Sequence, residues 1–373
     1  MRVLFVIDCL GSGGAQRQMV SLALGLAQRG YAVEFFVYYP EKDHFTQVVE
    51  DAGIQIHTHR KAHRFSLSVI RALRDLIRRG QFDLVLSFLA TPNFYNILAG
   101  RSLSERPVIV VSERSSDLHN RIPVLERIAR SLYRFADHVI VNSDHQKGVF
   151  FRKYPALRSK LSKIYNGYDL AFFAPAETPQ DFPHSNLQIL VIASISPHKN
   201  GLCLVRALKI LRQSFGLAVN VSWVGEQVIS AECLSYRQQM EHEISLDGLS
   251  DQWCWLGRRN DIVQLAHDHD LLVHPSYVEG LPNAICEALA CGCPVIASDT
   301  LDHPRLVQEN VTGFLFDWRS PEDLARAINS FAQLSVEART QMGKNARDFA
   351  KAHLSLPHYI DAYEILFKSL VRK

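Results

Sequence analysis

The sequence has 373 residues, of which 47% are hydrophobic and 21% are charged, and its formal net charge is +3. This length and composition are typical of a soluble globular protein with two ordinary domains. So small a net charge favours neither a nucleic-acid partner nor, by itself, a membrane. No apolar stretch reaches the length of a membrane span, and the chain begins directly with a strand-like run, unlike a signal peptide. Seven cysteines without zinc-like spacing predict reduced thiols in a cytosolic protein.

The first half of the chain alternates short apolar runs with amphipathic stretches. Predicted strands cover 3–7, 33–37, 54–56, 84–87, 108–111 and 138–141, and predicted helices cover 16–29, 67–79, 125–135 and 144–153. Such alternation predicts a parallel, doubly wound sheet. Ligands gather at the carboxyl ends of the strands in these sheets. We therefore expect the following residues on the ligand side: Gly13, Gly14, Ser87, Ser112, Glu113, Arg114 and Asn142.

A glycine-rich loop at 11–14 separates the first strand from the first helix. Strand, glycine loop and helix in this order are typical of the start of a Rossmann-like unit. A dinucleotide fingerprint needs a small residue at position 16, where this chain has Gln16, so the loop fits a dehydrogenase poorly. The loop is either a ligand-facing loop or simply a tight strand-to-helix turn.

A basic run follows the third predicted strand. It comprises His57, His59, Arg60, Lys61, His63, Arg64, Arg71, Arg74, Arg78 and Arg79. The run is either a solvated face or a peripheral contact with the inner face of the cytoplasmic membrane, whose anionic lipids attract Lys and Arg side chains.

The second half repeats the alternation after a proline-rich linker at 175–186. Predicted strands cover 189–192, 219–224, 253–256, 271–274 and 295–297, which predicts a second Rossmann-like sheet. The segment His267-Asp268-His269-Asp270 contains metal-ligand residue types. It precedes a strand and lies at a helix end, where polar residues are common, so we expect no metal there. His274 is interpreted as a strand histidine near the site, without a role in proton transfer.

The stretch 271–299 carries the strongest chemical signal in the sequence, and its pattern is strand, loop, helix, turn and strand. Pro282 lies at the predicted helix start and Gly292 follows its end, as helix termini favour. Glu279 and Glu287 bracket the helix start, at a spacing that on an ideal helix spans roughly 12 Å. The free N–H groups of a helix N-terminus suit a diphosphate. One loop and one helix therefore offer groups for a hexose, a diphosphate and a ribose.

The run EGLPNAICEALACGCPVIASD at 279–299 resembles the donor-site signature of the retaining glycosyltransferases of family four, which have the GT-B fold. The positions in register with that signature also include Gly280, Pro282, Asn283, Ala288, Gly292, Pro294 and Asp299. The resemblance implies an α/β protein in which two Rossmann-like, doubly wound parallel-sheet domains face a central cleft. It implies an acceptor-side domain at 1–169, a nucleotide-sugar donor domain at 170–356, and a C-terminal helix at 357–373 that crosses back onto the first domain.

The resemblance also implies roles for particular residues. Glu279 would hold hydroxyls of the donor sugar, and Glu287 would hold the ribose hydroxyls. The helix start is expected to bind the donor through Gly280, Leu281, Pro282 and Asn283. The segment at 193–201 resembles the family's diphosphate loop, in which Lys199 matches the expected lysine, whereas Ser194 occupies the position of an expected arginine.

The remaining implied contacts lie in turns that follow strands. Gly225 and Gly257 would border the nucleotide base, and Arg258 either assists there or is a surface charge. Gly13 and Gly14 would face the cleft opposite the donor. Many members of the family have a histidine near the stretch that here reads Ser112-Glu113-Arg114. Arg114 either contacts a phosphate or the sugar, or pairs with Glu113.

The sequence therefore predicts a metal-independent, retaining glycosyltransferase without a cofactor. It would move a hexose or N-acetylhexosamine from a nucleotide sugar, more plausibly a UDP sugar than a GDP sugar, to a glycan or lipid-linked acceptor in polysaccharide or lipopolysaccharide biosynthesis. The predicted catalytic residues are Glu279 and Lys199. The alternatives are a sugar-nucleotide epimerase or hydrolase of the same shape, and a non-catalytic module, which the missing arginine at Ser194 makes conceivable. A dehydrogenase is the weakest alternative.

Overall fold

The computed structural model describes residues 1–61, 66–114, 128, 130–176 and 186–371. The chain forms two compact units. The first unit comprises Met1–Gly167 with Leu356–Lys373, and the second comprises Tyr168–Ser355. The division after Gly167 lies two residues before the boundary proposed from the sequence. His63, Arg64, residues 125–127 and 129 of the predicted helix at 125–135, and most of the linker at 175–186 lie outside the described residues.

The first unit has a seven-stranded parallel sheet. Its elements up to position 163 are β1 (Arg2–Ile7), α1 (Gly14–Gln28), β2 (Ala32–Val37), α2 (Thr46–Asp51), β3 (Gln55–Thr58), α3 (Leu67–Gly80), β4 (Leu84–Phe88), α4 (Ala90–Arg101), β5 (Val108–Glu113), β6 (His138–Val141), α5 (Asp144–Lys153) and β7 (Leu161–Lys163). The strand order is β3-β2-β1-β4-β5-β6-β7, so the direction of winding reverses between β1 and β4. The central strands β1, β4 and β5 are almost wholly buried, as in parallel sheets that helices cover on both faces.

The second unit has a six-stranded sheet. Its elements are β8 (Leu187–Ile192), α6 (Gly201–Ile210), β9 (Val219–Val224), α7 (Ala231–Leu246), β10 (Trp253–Gly257), α8 (Ile262–Asp268), β11 (Leu271–His274), α9 (Asn283–Ala290), β12 (Val295–Ser298), α10 (His303–Leu306), β13 (Gly313–Phe316), α11 (Pro321–Ala332) and α12 (Val336–His353). All of its strand pairs are parallel, in the order β10-β9-β8-β11-β12-β13. The winding reverses between β8 and β11, and such a switch point is where ligands bind in open α/β sheets.

The last helix, α13 (Leu356–Val371), packs on the first unit. Its buried side chains are Tyr359, Ile360, Tyr363 and Phe367. Ile360 fits against Gly25 of α1, where any added Cβ atom would overlap it. Position 25 must therefore stay small for the helix to dock.

Two sequence-based expectations of the architecture are confirmed and several elements were missed. The two parallel sheets and their order along the chain were predicted, whereas the following elements were not: α2, α4, β7, α10, β13, α11 and α12. Helix α4 begins with the weak helix formers Thr91, Pro92 and Asn93, so its propensity is poor. It forms because tertiary packing buries most of it. None of the described helices is both long enough and apolar enough to cross a bilayer.

Candidate active site

A lysine and a glutamate meet across the switch point of the second sheet. Lys199 ends the short 3-10 turn Pro197–Lys199 that follows β8, and Glu279 lies in the loop between β11 and α9. The Lys199 Nζ atom donates a 2.5 Å hydrogen bond to Glu279 Oε1. Their side chains are only 16% and 14% exposed, respectively. The two predicted catalytic residues are therefore in direct contact where a ligand of this fold binds.

His274, at the end of β11, also donates to Glu279. Its Nε2 atom lies 3.1 Å from the same oxygen, Oε1. Burial by itself raises the pKa of the Glu279 carboxyl, but the His274 hydrogen bond and the Lys199 charge outweigh it and hold that pKa well below its usual range. Glu279 is thus a carboxylate throughout the ordinary pH range and acts as a hydrogen-bond acceptor.

The loop that carries Glu279 is fixed by hydrogen bonds to the segment that carries Lys199. The backbone N–H of Tyr277 and the hydroxyl of Ser276 both donate to the carbonyl oxygen of His198, each at 3.1 Å. Asn200 Nδ2 donates to the carbonyl oxygens of Pro275 and Trp318, at 3.2 and 2.8 Å. These hydrogen bonds fix the two loops to each other and so set the positions of Lys199 and Glu279.

The turns after β9 and β10 join the same edge of the sheet. The Gly225 N–H donates to the Gly257 carbonyl at 2.8 Å, and the Ile195 N–H donates to the Glu226 carbonyl at 3.1 Å. Ser194 lies half-buried beside this contact. Four consecutive strands of the sheet, β10, β9, β8 and β11, thus bring their terminal loops to one edge.

The arginines that follow β10 lie at the surface. Arg258 is 58% exposed and lies 3.6 Å from Glu226, whose side chain is 66% exposed. Arg259 pairs with Asp261 in the adjacent turn. These contacts agree with the surface-charge interpretation and leave a role of Arg258 in donor binding as a prediction.

Helix α9 begins where it was predicted, at Asn283. Pro282 occupies the N-cap position, and no side chain caps the helix there. Asn283 Oδ1 accepts a 2.6 Å hydrogen bond from the hydroxyl of Tyr168. Glu287 is 6% exposed, whereas Gly280 is half-buried and Leu281 is buried. The bracketing of the helix start by Glu279 and Glu287 is thus present in the structure, while their contacts with a donor remain predictions.

The segment 267–270 makes structural contacts. His267 Nε2 donates to the Ala174 carbonyl, and His269 Nδ1 donates to the Leu265 carbonyl, both at 2.7 Å. Asp270 accepts from the backbone N–H of Gln188 at 2.6 Å. These side chains fix the start of β11 to its surroundings. Over the described ranges, no group of three or more His, Cys, Asp or Glu side chains is arranged to hold a metal ion.

Arg114 has a structural environment that the sequence did not predict. Its guanidinium donates to Asn166 at 2.5 Å and to Tyr363 at 2.7 Å, and it lies 3.8 Å from the centre of the Phe88 ring. The alternative of an ion pair between Arg114 and Glu113 is not what the structure has, because the Glu113 carboxylate pairs with Arg130 at 3.2 Å. The Arg114 guanidinium thus has partners within the first unit, and its role in donor binding stays a prediction.

The glycine loop of the first unit is closed by Gln16. The Gln16 amide donates to Asp8 at 2.8 Å and lies so close to Gly13 that a Cβ atom there would overlap it. Gly14 is the exposed first residue of α1. The predicted contact of the loop with a substrate stays a prediction.

The basic run divides into paired and exposed parts. His57 lies 2.7 Å from Glu34, and the Lys61 ammonium lies over the rings of Tyr38, Tyr39 and Tyr95. Arg71, Arg74, Arg78 and Arg79 are exposed on α3. Among the described residues of the run, Arg60 and the four arginines of α3 are therefore the solvated part.

Two pairs of side-chain contacts at the site were not predicted from the sequence. His274 was placed in its strand but not on Glu279, and His303, whose ring packs against that of His274, was not selected at all. No local pattern connects these histidines, because their contact depends on how β11 and α10 pack. Tyr277 and Trp318, which stack at 4.6 Å beside the site, were missed for the same reason.

The two parallel-sheet units and a switch-point site define an α/β protein of the GT-B class. Residues 12–172 match the family model Glycosyltransferase Family 4, and residues 176–349 match the model Glycosyl transferases group 1. The chain belongs to this family of glycosyltransferases.

Similar proteins along the whole chain carry related names. One is the Campylobacter jejuni GalNAc-alpha-(1->4)-GalNAc-alpha-(1->3)-diNAcBac-PP-undecaprenol alpha-1,4-N-acetyl-D-galactosaminyltransferase, 25% identical over 95% of this chain and 96% of the relative. Another is the N,N'-diacetylbacillosaminyl-diphospho-undecaprenol alpha-1,3-N-acetylgalactosaminyltransferase of the same organism, 23% identical over 98% of this chain and 100% of the relative. Among solved structures, Anabaena HepE in complex with UDP has a TM-score of 0.84 and 21% identity, covering 99% of this chain and 100% of that one. A Rickettsia africae glycosyltransferase has a TM-score of 0.85 and 19% identity, covering 100% and 99%.

Proposed function

We propose that this glycosyltransferase moves an N-acetylhexosamine or hexose from a UDP sugar to a lipid-linked glycan, with retention of configuration and without a metal ion. The observation that carries the proposal is the Lys199–Glu279 contact at the switch point of the second sheet. It combines a cation for a departing diphosphate with a carboxylate for sugar hydroxyls, and both are held by loops that are fixed in advance.

The chemistry requires stabilisation of the leaving group. When the sugar leaves the nucleotide, negative charge grows on the diphosphate, and pre-set donors stabilise it most effectively. Lys199 supplies one positive charge, and the uncapped N–H groups at the start of α9 supply a partial one. These two sources of positive charge are the basis for proposing that no metal is needed.

The two glutamates are proposed to orient the donor. Glu279 accepts from hydroxyls of the transferred sugar, and Glu287 in α9 accepts from the ribose. Correct orientation of the sugar against the acceptor hydroxyl lowers the barrier by removing the need for a rare encounter geometry. Because Glu279 stays ionised, it accepts hydrogen bonds and does not act as a general acid.

The choice of donor and acceptor is supported by the names of similar proteins. Two relatives matched along nearly the whole chain are named N-acetylgalactosaminyltransferases that act on undecaprenol-diphosphate-linked glycans. A solved structure of the same fold contains UDP. We therefore propose a UDP-N-acetylhexosamine as the first donor to test and a polyprenyl-diphosphate-linked glycan as the acceptor class.

A transfer assay tests the proposal. The chain is incubated with a panel of UDP and GDP sugars, with and without a polyprenyl-diphosphate-linked glycan, and the products are separated by mass spectrometry. We expect acceptor-dependent glycan extension that continues in EDTA, and an α linkage when an α-linked donor is used. Release of free sugar or an epimerised nucleotide sugar, equally with and without acceptor, would instead favour a hydrolase or an epimerase.

A lipid-linked acceptor also requires contact with a membrane surface. We propose that α3 provides it, because Leu67, Arg71, Arg74 and Arg78 follow one another at helical spacing and are all exposed. Anionic lipid attracts each such cation by about 1 kcal/mol. Leu67, at 58% exposed, adds an apolar contact at the start of the helix.

Vesicle sedimentation tests the membrane contact. Binding is expected to need anionic lipid, to weaken with salt, and to fall when Arg71→Glu and Arg74→Glu are combined. Arg326→Glu, an exposed arginine on α11, is the matched control and should leave binding unchanged. Equal binding to neutral vesicles would rule out the electrostatic contact.

A further inference from the structure

We propose that His274 is a positioning residue that keeps the Glu279 carboxylate in place when Lys199 turns to the donor diphosphate. The inference rests on the proposed function of the Lys199–Glu279 site. It assigns a task to His274 through its contact with Glu279.

Both hydrogen-bond donors to the Glu279 carboxylate reach the same oxygen atom. Lys199 Nζ and His274 Nε2 both donate to Oε1 of Glu279, at 2.5 and 3.1 Å. A carboxylate only accepts, so the Nε2 atom of His274 must carry the proton. Among the residues that the structure describes, none donates to Oε2. That oxygen is therefore left for a hydroxyl of the sugar.

The two donors, His274 and Lys199, differ in how freely their side chains can move. His274 is 2% exposed and ends β11, where it is in register with Ala297 of β12. Lys199 is 16% exposed and carries its charge on a flexible four-carbon chain. When a diphosphate enters, the ammonium is the donor that can turn toward it, and the imidazole is the donor that stays.

Packing against His303 fixes the imidazole ring of His274. The ring of His303 lies 5.2 Å from that of His274, edge to face at 80°. His303 is itself held, because its Nδ1 atom lies 2.9 Å from the Ser298 hydroxyl and 3.0 Å from the Ser298 carbonyl. The Ser298 hydroxyl in turn donates to the Ser276 carbonyl at 2.5 Å, in the loop of Glu279.

His303 also adds no competing charge to this arrangement. Burial lowers the pKa of His303 to about 3, so its ring is neutral at physiological pH. A neutral ring packs against His274 without repelling the proton on Nε2. His303 therefore adds no positive charge beside Lys199.

The hydrogen bond from His274 matters when the donor binds. If Lys199 leaves Glu279 for the diphosphate, the carboxylate retains the His274 hydrogen bond and its orientation. Without that bond, the carboxylate follows the ammonium and competes with the diphosphate for it. Removing the imidazole should therefore impair turnover more than it impairs nucleotide affinity.

Three variants separate positioning from a general loss of structure. His274→Gln retains an N–H donor at a similar reach, whereas His274→Leu has none. His267→Gln is the matched control, because His267 also donates through Nε2 but to the Ala174 carbonyl. With the nucleotide sugar that the unaltered enzyme turns over, we expect His274→Leu to lower kcat about 10- to 100-fold, as for loss of a hydrogen bond to a charged group. His274→Gln should recover most of this loss, and UDP affinity by calorimetry should change less than about 2-fold in either variant.

A double-mutant cycle tests whether His274 acts through Glu279. In a Glu279→Gln background, His274→Leu is expected to cause little further loss of kcat, because the carboxylate that it positions is gone. The same fold-loss in both backgrounds would overturn the proposal. So would a His274→Gln variant as impaired as His274→Leu while both keep the unfolding temperature of the unaltered protein.

A spectroscopic measurement decides the proposal without any assay of activity. Histidine ¹⁵N NMR of the unaltered protein should show a protonated Nε2 atom for His274, and this signal should shift in Glu279→Gln but not in Lys209→Ala. An unprotonated Nε2 atom would overturn the inference, whether or not transfer is observed. Absence of transfer by the unaltered protein, with the expected NMR signal, would instead contradict the proposed function alone.

Discussion

The guanidinium of Arg114 donates a 2.7 Å hydrogen bond to the hydroxyl of Tyr363, a residue 249 positions later in the chain. Arg114 directly follows β5, and Tyr363 lies in α13. The same guanidinium contacts Tyr359 at 3.4 Å and Asn166 at 2.5 Å. A buried cation thus joins the sheet of the first unit to the returning C-terminal helix and to the end of the segment at 161–167.

Replacing Arg114 should therefore destabilise the first unit. Arg114→Leu leaves the Tyr363 hydroxyl and the side-chain amide oxygen of Asn166 buried without this donor. We therefore expect the free energy of unfolding to fall by about 3 kcal/mol. Arg114→Lys should recover only part of this, because an ammonium cannot reproduce the planar, multi-donor geometry. Chemical denaturation followed by fluorescence measures the difference. Unchanged stability together with weaker UDP binding would restore the interpretation of Arg114 as a donor contact.

Glu364 on α13 should make the docking of this helix sensitive to acid. It accepts from Lys368 and Arg29, both at 2.6 Å, and these hydrogen bonds lower the pKa of its carboxyl to about 2. Because the pKa is lower in the folded state, the carboxylate stabilises the fold at neutral pH and loses this contribution as the pH falls toward about 2. Solvent screening keeps the contribution near 1 kcal/mol.

Glu364→Gln tests this dependence. At pH 7 the variant should unfold about 1 kcal/mol more easily than the unaltered protein, and the difference should shrink steadily below the usual carboxyl pKa. Glu50→Gln, an exposed glutamate on α2, is the control and should change stability little at any pH. A difference that stays constant down to the lowest pH measured would contradict the assignment.

Gly225 should be intolerant of any side chain. Its φ is +150°, and a Cβ atom there would overlap the carbonyl oxygen of Ala193, which belongs to the backbone and has little freedom to move. Gly225→Ala is expected to lower the free energy of unfolding by more than about 2 kcal/mol, and to weaken UDP binding if the turn borders the base.

Gly216→Ala is the matched control for Gly225. Its φ is +62°, and no described atom lies within 4 Å of an added Cβ atom there. Its cost should be limited to the conformational penalty of about 1 kcal/mol. Equal effects of the two substitutions would mean that the contact with Ala193 is not what restricts position 225.

The parts of the fold that the sequence predicted are those with a local signal. Apolar runs such as 3–7 and 271–274 mark buried parallel strands, and Pro282 and Gly292 mark the limits of α9. These signals depend on residues within one or two turns of each other. The run 279–299 is likewise local, and the whole run rather than the spacing of Glu279 and Glu287 carried the family resemblance that implies a donor site there.

The missed features depend on contacts between distant parts of the chain. For Arg114 the sequence left a phosphate or sugar contact and an ion pair with Glu113 open, because nothing near it shows that its guanidinium contacts Tyr359 and Tyr363. His274 and His303 each look like isolated histidines in the sequence, although their rings are in contact. In each case the packing of one element on another decides the partner, and neither propensity nor spacing encodes it.

Lys199 offers the most direct test of the site. It is proposed to stabilise the departing diphosphate, and it also lowers the pKa of Glu279, so one substitution should have two different effects. Lys199→Ala removes the charge proposed to stabilise the departing diphosphate. We expect the barrier to rise by about 2–4 kcal/mol, comparable with the loss of one pre-set donor in other active sites. The expected fall in kcat is then about 30- to 1,000-fold, since each 1.36 kcal/mol is a factor of ten.

The same substitution should change the pH dependence of nucleotide-sugar binding. Lys199 is one of the causes that lower the pKa of Glu279, and removing it should move that pKa upward toward its usual value. When the solution is acidified, sugar binding through the carboxylate should therefore begin to weaken at a higher pH in Lys199→Ala than in the unaltered protein. Lys209→Ala is the control, because Lys209 pairs with Asp247 at 2.7 Å on the exposed face of α6. Unaltered turnover in Lys199→Ala would remove this residue from the mechanism and with it the proposed stabilisation of the leaving group.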